Sequence, residues 1–360
     1  MNTTPMQKAF LCRRFTPVIE AELEKRFDLD INREDTVLTP FDIANRGNGA
    51  EVLFVTATEV VNADVIRSLR PGLKTIETLS VGYEHIDMAA ARSWGINVLH
   101  TPDVLSDACA EIAMLLMLNA CRRGYEADRM VRSGSWPGWG PTQLLGLGLG
   151  GRRLCIFGMG RIGRAIATRA RGFGLEIHYH NRTRLSPELE AGASYHGTLD
   201  SLLGASDIFL IAAPGRPDLK GFLNHDRIAR MPAGAVVVNI SRGDLINDDA
   251  LIEALKSNHL FAAGLDVFAN EPKIDPRYST LDNVFLTPHI GSATYETRDA
   301  MGWLLISGIE ALDKGDVPAN LLSKGAGKMP CHAMPARREM IGSRCGIDDD
   351  VEIKFTCAGG

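Results

Sequence analysis

Short apolar runs alternate with helix-like stretches along most of this chain, and the alternation predicts an α/β fold with parallel sheets. In the N-terminal part, apolar runs predict strands over residues 9–12, 52–55, 74–79 and 96–99. Further along, apolar runs predict strands over residues 154–157, 176–179, 208–211, 235–239, 264–267 and 284–286. Because helical patterns separate these runs, each series is expected to form its own parallel sheet.

One segment, residues 108–121, is apolar at nearly every position, with Glu111 as the main exception. A helix of this composition is expected to be buried on all sides. It would either cross between two domains or pack against a second subunit. A further helix is predicted over residues 293–312, after the last strand.

A glycine motif, Gly158-Met159-Gly160-Arg161-Ile162-Gly163, follows a predicted strand and opens a helical segment that runs through Arg171. The first glycine permits a tight turn, the second lets the backbone approach a phosphate, and the third lets the helix pack on the strand. The helix N-terminus adds free N–H groups and a partial positive charge, so the motif predicts a dinucleotide site. A second glycine run, residues 146–151, precedes a strand and is interpreted as a connection.

The turn after the next strand indicates which dinucleotide binds. An NAD site usually has Asp or Glu about 20 residues past the glycines, where the carboxylate binds the ribose 2′-OH. Here the turn is Asn181-Arg182-Thr183-Arg184, which lacks a carboxylate and offers two guanidinium groups to a 2′-phosphate. NADP(H) is therefore the expected cofactor and NAD(H) an alternative, while a solvated basic turn is the interpretation without a binding role.

The motif lies in the middle of the chain, which indicates that the nucleotide-binding domain is inserted into another domain. The predicted fold class is α/β, with two Rossmann-like or flavodoxin-like domains built on parallel sheets. Residues 1–101 and 290–322 are predicted to form a split substrate (catalytic) domain, and residues 102–289 the NADP-binding domain. Residues 323–360 lose the apolar periodicity, which predicts a loosely ordered tail.

Composition and charge narrow the partners. The 360-residue chain carries a net charge of −5, which argues against nucleic acid or an anionic membrane surface as a partner. No stretch resembles a membrane span, and residues 1–14 lack the apolar core of a signal peptide. The seven cysteines show neither metal-ligand nor redox spacing, even beside Cys331-His332, so no metal site and a reducing cytoplasm are expected.

Three polar segments follow predicted strands and carry the side chains that reduction of a ketone requires: residues 240–243, 265–272 and 287–292. In doubly wound folds, ligands collect at the carboxyl ends of the strands, so these segments are expected to face one cleft. His289 is the natural proton donor near neutral pH, and Glu271 would fix its ring. Arg242 can hold a planar carboxylate at two points and polarise the neighbouring carbonyl. Each of the three could instead be an ordinary turn residue.

These segments resemble those of the D-isomer-specific 2-hydroxyacid dehydrogenases over roughly residues 50–320. The resemblance implies that Arg242, Glu271 and His289 are catalytic. It implies that backbone N–H groups of Val81 and Gly82 hold the substrate carboxylate. Implied cofactor contacts, with Asp266 at the nicotinamide carboxamide, are Gly160, Arg161, Ile162, the turn 181–184, Ala213, Pro214, Ile240, Asp266 and Gly291. Ser292, at the end of the third polar segment, is also expected to contact substrate.

Within that family, the basic turn is similar to the glyoxylate and hydroxypyruvate reductases. Trp136 and Trp139 fit this branch, in which a tryptophan of the partner subunit lies near the substrate, although a core or dimer-anchor role is the simpler interpretation. The resemblance implies a homodimer that reduces a small 2-oxo acid to the D-2-hydroxy acid with NAD(P)H, and Trp139 is a candidate substrate contact. The substrate-carboxylate loop that the resemblance implies, residues 79–87, departs from the family at Glu84, where Asp is more common.

Two other interpretations stay open. A non-catalytic protein of the same fold could sense the nicotinamide cofactor, as relatives that act as transcriptional corepressors do. Such a protein needs partner-recognition segments, and only the tail after residue 322 could supply them. A formate dehydrogenase-like activity is less consistent with the chain, because those relatives pair the histidine with Gln whereas this chain has Glu271.

Overall fold

A computed structural model describes residues 6–322 of the chain. Its first sheet contains strands β1 Gln7–Leu11, β2 Phe27–Ile31, β3 Val52–Val55, β4 Thr75–Thr78 and β5 Asn97–Leu99. These five strands pair in parallel in the order β2-β1-β3-β4-β5. The helices between them are α1 Pro17–Arg26, α2 Pro40–Arg46, α3 Ala63–Ser68 and α4 Met88–Ser93.

Helices α5 Ser106–Arg122 and α6 Gly124–Arg132 lead into a second sheet. Its strands are β6 Arg153–Phe157, β7 Glu176–His180, β8 Ser194–Tyr195, β9 Ile208–Ile211, β10 Ala235–Asn239, β11 Leu260–Leu265 and β12 Val284–Leu286. Its helices are α7 Arg161–Arg171, α8 Pro187–Glu190, α9 Leu199–Gly204, α10 His225–Ile228 and α11 Asp248–Lys256, and α12 Tyr295–Asp313 follows the sheet. The seven strands are parallel in the order β12-β11-β10-β9-β6-β7-β8, which confirms the predicted fold class.

Strands in the middle of the second sheet are buried on both faces. Phe209 and Val237 pack in the core on one face of the sheet, whereas Leu210 and Val238 pack in the core on the other. Strands covered on both sides have continuous apolar runs, which is why β9 and β10 were recognisable from the sequence. Because the strands are parallel, the polar residues that follow them lie together at the carboxyl ends of the strands.

The chain returns to the first sheet after β12. Gly302 of α12 lies so close to Ile19 of α1 that a side chain at position 302 would overlap it. The N–H of Leu322 donates to the carbonyl of Val98, 3.0 Å away, beside β5. This return gives the second sheet the position of an insertion, while the limits at residues 101 and 290 remain a prediction.

Helix α5 contributes to the cores of both sheets. Cys109 in its first turn packs in a core of the first sheet, and Ala113 and Met117 pack in a core of the second. The expectation that this helix is buried on all sides is wrong for the single chain, because Leu115 is 41% exposed. Glu111 is exposed one turn earlier, so the two residues mark a solvent-facing stripe.

Three other sequence-based expectations need comment. The strand predicted over residues 264–267 instead ends at Leu265, so Asp266 lies in the following turn. Strand β2 was not predicted because exposed Asp28 and Asp30 interrupt its apolar pattern at the sheet edge, and β8 has only two residues. None of the helices within residues 6–322 is long and apolar enough to cross a membrane. The predicted tail, residues 323–360, lies outside the described residues.

Candidate active site

The glycine motif forms the turn between β6 and α7. Gly158 has φ +98°, and a Cβ atom there would overlap the backbone of Ala213 on the neighbouring strand segment. A Cβ atom at Gly163 would lie 2.5 Å from the carbonyl oxygen of Gly158, so this glycine allows α7 to pack against the turn. Gly160, in contrast, faces open space within 4 Å. Gly158 and Gly163 are thus required for close packing, whereas Gly160 occupies an open position on the surface of the turn.

The open position is suited to a pyrophosphate. No side chain caps the N-terminus of α7, and within residues 6–322 the N–H groups of Arg161 and Ile162 have no acceptor. The Asn181 side chain accepts a hydrogen bond from the N–H of Met159 at 2.7 Å, which holds the turn open. Free N–H groups at a helix N-terminus beside a cleared surface fit the diphosphate of a dinucleotide. Arg161 itself pairs with Asp103, at the entrance to α5.

The two arginines of the basic turn differ in their surroundings. Arg184 donates to both carboxylate oxygens of Glu190, from Nε at 2.8 Å and from Nη2 at 3.1 Å. Arg182 is exposed and, in the part of the chain that the structure describes, its guanidinium has no partner. Thr183 is exposed as well. The turn therefore offers one uncommitted cation and one that neutralises a nearby carboxylate.

Two more predicted cofactor segments lie where β9 and β10 end. Ala213 is buried after β9, and its carbonyl accepts a hydrogen bond from the Ser241 hydroxyl. Pro214 beside it is exposed, and Ile240 after β10 is half-buried. Both segments thus lie at the carboxyl ends of the strands, as the glycine turn does. Ligands usually bind at this end of the sheet in such folds.

His289 and Glu271 meet after β12 and β11 respectively. His289 Nδ1 lies 2.7 Å from Glu271 Oε2, and the other carboxylate oxygen accepts the N–H of Phe268 at 2.7 Å. Burial alone would raise the pKa of Glu271, but the hydrogen bond and charge of His289 lower it overall. A carboxylate only accepts, so Nδ1 carries the hydrogen and Nε2 is left for another partner.

Asp266 organises the loop that carries this histidine. Its buried carboxylate accepts the hydroxyl of Thr287 at 2.6 Å and the N–H groups of Ile290 at 2.8 Å and Gly291 at 2.9 Å. His289 has φ +54°, a left-handed conformation that a non-glycine residue adopts only when its neighbours hold it there. Burial raises the pKa of Asp266 despite these donors. Ser292, just beyond, is half-buried.

Arg242 follows β10, where the amide of Asn239 shapes its turn. The Asn239 side chain donates to the carbonyl of Arg242 at 2.9 Å. Arg242 Nη2 donates to Glu84 Oε2 at 3.2 Å, and Nη1 donates to the carbonyl of Ser241 at 2.9 Å. A Cβ atom at Gly82 would overlap both Arg242 Nη2 and Glu84 Oε2. The structure thus brings Arg242 against the loop of the first sheet.

That loop exposes two backbone donors. Within residues 6–322, the N–H groups of Val81 and Gly82 have no acceptor. Their carbonyls are occupied, because His100 Nδ1 lies 2.9 Å from the oxygen of Val81 and the Ser80 hydroxyl donates to Gly82 at 2.6 Å. The loop is therefore fixed with its N–H groups beside the Arg242 guanidinium.

Sequence reasoning missed several neighbours of this site. Glu84 was noted only as a departure from a family pattern, although it contacts Arg242 directly. No sequence pattern assigns a role to His85, but its Nε2 lies 2.9 Å from the Thr78 hydroxyl, and burial lowers the pKa of His85 to about 4. Cys109 had no expected role, yet its sulfur lies 3.4 Å from where a Cβ of Gly291 would be. The contacts of Glu84 and Cys109 join distant segments, so no local pattern signals them.

Trp139 was also predicted to lie at the site, but within residues 6–322 it makes none of the contacts described above. Its side chain is 84% exposed, and that of Trp136 is 53% exposed. Together, the two parallel sheets, the glycine turn and the His–Glu pair define a class, namely the dinucleotide-dependent oxidoreductases.

The comparisons narrow this class. Residues 114–291 match the family model described as "D-isomer specific 2-hydroxyacid dehydrogenase, NAD binding domain". A glycerate dehydrogenase of Hyphomicrobium methylovorum is 39% identical over 297 residues, which covers 82% of this chain and 92% of the relative. A glyoxylate reductase of Pyrococcus furiosus is 38% identical over 307 residues, which covers 84% and 91%.

A solved structure agrees. The crystal structure from Polaromonas sp. JS6 66, described under D-isomer specific 2-hydroxyacid dehydrogenase, NAD-binding, is 84% identical with a TM-score of 0.86. The match covers 89% of this chain and 100% of that one. The chain belongs to the D-isomer-specific 2-hydroxyacid dehydrogenase family.

Proposed function

We propose that this protein reduces a small 2-oxo acid of the glyoxylate or hydroxypyruvate type to the D-2-hydroxy acid, with NADPH as the preferred cofactor. The observation that carries the proposal is the His289–Glu271 pair, because it leaves Nε2 of a carboxylate-supported imidazole free for a substrate. The names of the glycerate dehydrogenase and glyoxylate reductase relatives support the substrate class. Glycerate and hydroxypyruvate are the hydroxy and oxo forms of one acid.

In this proposal the substrate carboxylate binds between two sheets. The N–H groups of Val81 and Gly82 would donate hydrogen bonds to one side of it, and the Arg242 guanidinium would hold the other. Charge-assisted hydrogen bonds of this kind fix a planar carboxylate in one orientation. The adjoining carbonyl then lies beside the same guanidinium, which polarises it toward negative charge on oxygen. Ser292 and, from a partner subunit, Trp139 are proposed to complete the pocket.

His289 supplies the proton. The bound nicotinamide would deliver a hydride to the carbonyl carbon, which leaves an alkoxide that must be protonated. The imidazolium donates from Nε2 to that oxygen, and Glu271 stabilises the imidazolium through Nδ1. In the oxidation direction Nε2 takes the proton back, so one residue serves as both acid and base.

The cofactor residues are assigned from their positions around the open glycine turn. The free N–H groups of Arg161 and Ile162, beside Gly160, would hold the pyrophosphate. Gly158 and Gly163 would allow the close packing that forms this turn. Ala213, Pro214, Ile240 and Gly291 would line the nicotinamide half. Asp266 Oδ2 accepts a single N–H, from Gly291, and so retains a lone pair for the carboxamide.

The NADPH preference rests on the turn after β7. Arg182 is uncommitted and Asn181 carries no charge, so a 2′-phosphate would meet a cation and no carboxylate. Glu190, which pairs with Arg184, is already neutralised by it. This arrangement attracts a dianionic phosphate more than a hydroxyl group.

A homodimer is part of the proposal. Exposed large apolar side chains concentrate in one stretch of the chain, at Leu115, Tyr125, Val131, Trp136, Trp139 and Leu145. Exposed apolar side chains that form one surface are typical of interaction sites, so we propose that this stretch lies at a dimer interface. Size-exclusion chromatography with light scattering tests the state, and a monomer at micromolar concentration would overturn it.

The function is tested by mixing the purified protein with NADPH and glyoxylate or hydroxypyruvate and following loss of NADPH absorbance. Chiral analysis of the product should give the D-hydroxy acid. NADPH binding without turnover of any 2-oxo acid would reject the reductase and favour a cofactor-sensing protein of the same fold.

A further inference from the structure

The Arg242 guanidinium already holds a carboxylate, that of Glu84. Glu84 Oε2 lies 3.2 Å from Arg242 Nη2, and both atoms occupy the space over Gly82 that a side chain there would fill. Glu84 is 47% exposed and Arg242 is 32% exposed, so the pair lies at an opening to solvent. The carboxylate of the chain therefore lies next to the position assigned above to the carboxylate of the substrate.

The loop that carries Glu84 is held on both sides. The Ser80 hydroxyl donates to the carbonyl of Gly82 at 2.6 Å, and the N–H of Val61 donates to the carbonyl of His85 at 2.8 Å. The His85 ring lies 2.9 Å from the Thr78 hydroxyl. A bound substrate can therefore turn the Glu84 side chain aside, but the backbone keeps its charge within a few ångströms of the pocket, about one side-chain length.

We infer that Glu84 is a specificity-determining residue. Its carboxylate releases Arg242 when the single carboxylate of a 2-oxo acid binds, and it repels 2-oxo acids that carry a second anionic group. This inference rests on the proposed function. Like charges that are close together at a partly desolvated site repel strongly, whereas a neutral group at the same place does not. Glyoxylate and hydroxypyruvate have one carboxylate, while 2-oxosuccinate and 2-oxoglutarate have two.

Glu84 is expected to affect the binding of 2-oxo acids in two ways. Glu84 competes for Arg242, so it weakens the binding of every 2-oxo acid by a small factor, because an exposed ion pair contributes little. It repels a second anionic group by a larger factor. Neutralising Glu84 should therefore improve dianionic ligands much more than monoanionic ones.

The test compares Glu84→Gln, which keeps the size and removes the charge, with Glu84→Asp, which keeps the charge and shortens the reach. The matched control is Glu51→Gln. Glu51 pairs with Lys74 next to the start of β3, at the opposite end of the strands from this loop, so the variant loses the same charge outside the site. Binding of oxamate and of 2-oxoglutarate to the full chain with NADP⁺ is measured by calorimetry; the oxidised cofactor carries no hydride to transfer, so no turnover occurs.

Glu84→Gln is expected to tighten 2-oxoglutarate binding by about tenfold or more and oxamate binding by only about twofold to fivefold. Glu84→Asp should tighten oxamate binding but leave 2-oxoglutarate weak, and Glu51→Gln should change neither. In the reductase assay, kcat/KM for 2-oxosuccinate relative to glyoxylate should rise in Glu84→Gln alone.

The outcomes separate the two proposals. Wild-type protein that binds oxamate and reduces glyoxylate, with Glu84→Gln no different from Glu51→Gln, would overturn the role of Glu84 and leave the reductase intact. Equal improvement for both ligands would also overturn the exclusion of dianions. Wild-type protein that binds neither ligand would overturn the reductase proposal and this inference together.

Discussion

His289 Nδ1 lies 2.7 Å from Glu271 Oε2, although the two residues are 18 positions apart in the chain. The contact forms because β11 and β12 are parallel neighbours, so the segments that follow them leave the sheet side by side. Asp266 then holds the histidine loop through the N–H groups of Ile290 and Gly291. The proposed acid–base pair thus depends on the parallel pairing of β11 and β12 rather than on either loop alone.

Replacing His289 with Gln should lower kcat by at least about 10², because the alkoxide loses its proton donor, with little change in cofactor affinity. Steady-state kinetics and NADPH titration measure the two effects. His225→Gln is the matched control, since His225 also contacts a carboxylate, Glu253 Oε2 at 3.0 Å, on the surface between α10 and α11. Full activity in His289→Gln would rule out this acid–base assignment.

Glu271 should stabilise the fold above its unfolded-state pKa. Its pKa is lowered in the folded protein from the ordinary value of 4.5, so the stabilisation is present above about pH 4.5 and is lost as the pH falls through the folded-state pKa. Thermal unfolding of Glu271→Gln should therefore show a lower Tm than wild type at pH 7, and the difference should shrink toward pH 3. A Tm difference that grows in acid would contradict this sign.

Glu77 should have the opposite effect. Within residues 6–322, both of its carboxylate oxygens are buried without a hydrogen-bond partner, and burial raises the pKa of Glu77 well above 4.5. Its contribution to stability is present below the unfolded-state pKa and is lost as the pH rises toward the folded-state pKa. Glu77→Gln should raise the Tm at pH 8, by roughly 1–2 °C for each kcal/mol of relieved desolvation in a chain of this length. An unchanged or lower Tm at pH 8 would count against a strained carboxyl at this site.

The two arginines of the basic turn, residues 181–184, are expected to contribute unequally to NADPH binding. Arg182→Ala should raise KM for NADPH by about tenfold or more while KM for NADH changes little, because only NADPH carries the 2′-phosphate. Arg184→Ala should have a smaller selective effect, since its guanidinium already pairs with Glu190. Equal effects of Arg182→Ala on both cofactors would remove the case for a 2′-phosphate site.

The glycine turn allows a test that separates folding from binding. Gly160→Ala should fold with a Tm close to wild type, because the added methyl group meets no atom within 4 Å, but should weaken NADPH binding at the pyrophosphate. Gly158→Ala should lower the Tm, because φ is +98° and the methyl group would overlap Ala213. Circular dichroism and cofactor titration distinguish the two variants. Tight NADPH binding by Gly160→Ala would place the pyrophosphate elsewhere.

Much of the fold was predictable because its signals are local. The strands Val52–Val55, Ile208–Ile211, Ala235–Asn239 and Val284–Leu286 coincide with the predicted ranges, since continuous apolar runs mark strands buried on both faces. Helix α7 likewise has the predicted end at Arg171. Edge strand β2 escaped notice because Asp28 and Asp30 face solvent and break the apolar run.

In the candidate site, too, the features with local signals were predictable and the long-range contacts were not. Residue type and position after a strand single out Arg242, Glu271 and His289, because ligands collect at the carboxyl ends of parallel strands. The sequence gives no sign that Arg184 is committed to Glu190, because that pairing depends on how the turn and α8 fold back. The exposure of Leu115 is likewise set by which elements cover α5, not by the composition of the helix.

By itself, then, the sequence determined the two parallel sheets, the dinucleotide turn and the residue types that reduce a ketone, because these depend on patterns within a few neighbouring positions. Only the tertiary structure decided which carboxylate each cation meets. Glu84 is 158 positions from Arg242, and nothing local to either residue relates them. Contacts of that kind depend on the packing of one domain against another, and in this protein they surround the proposed substrate.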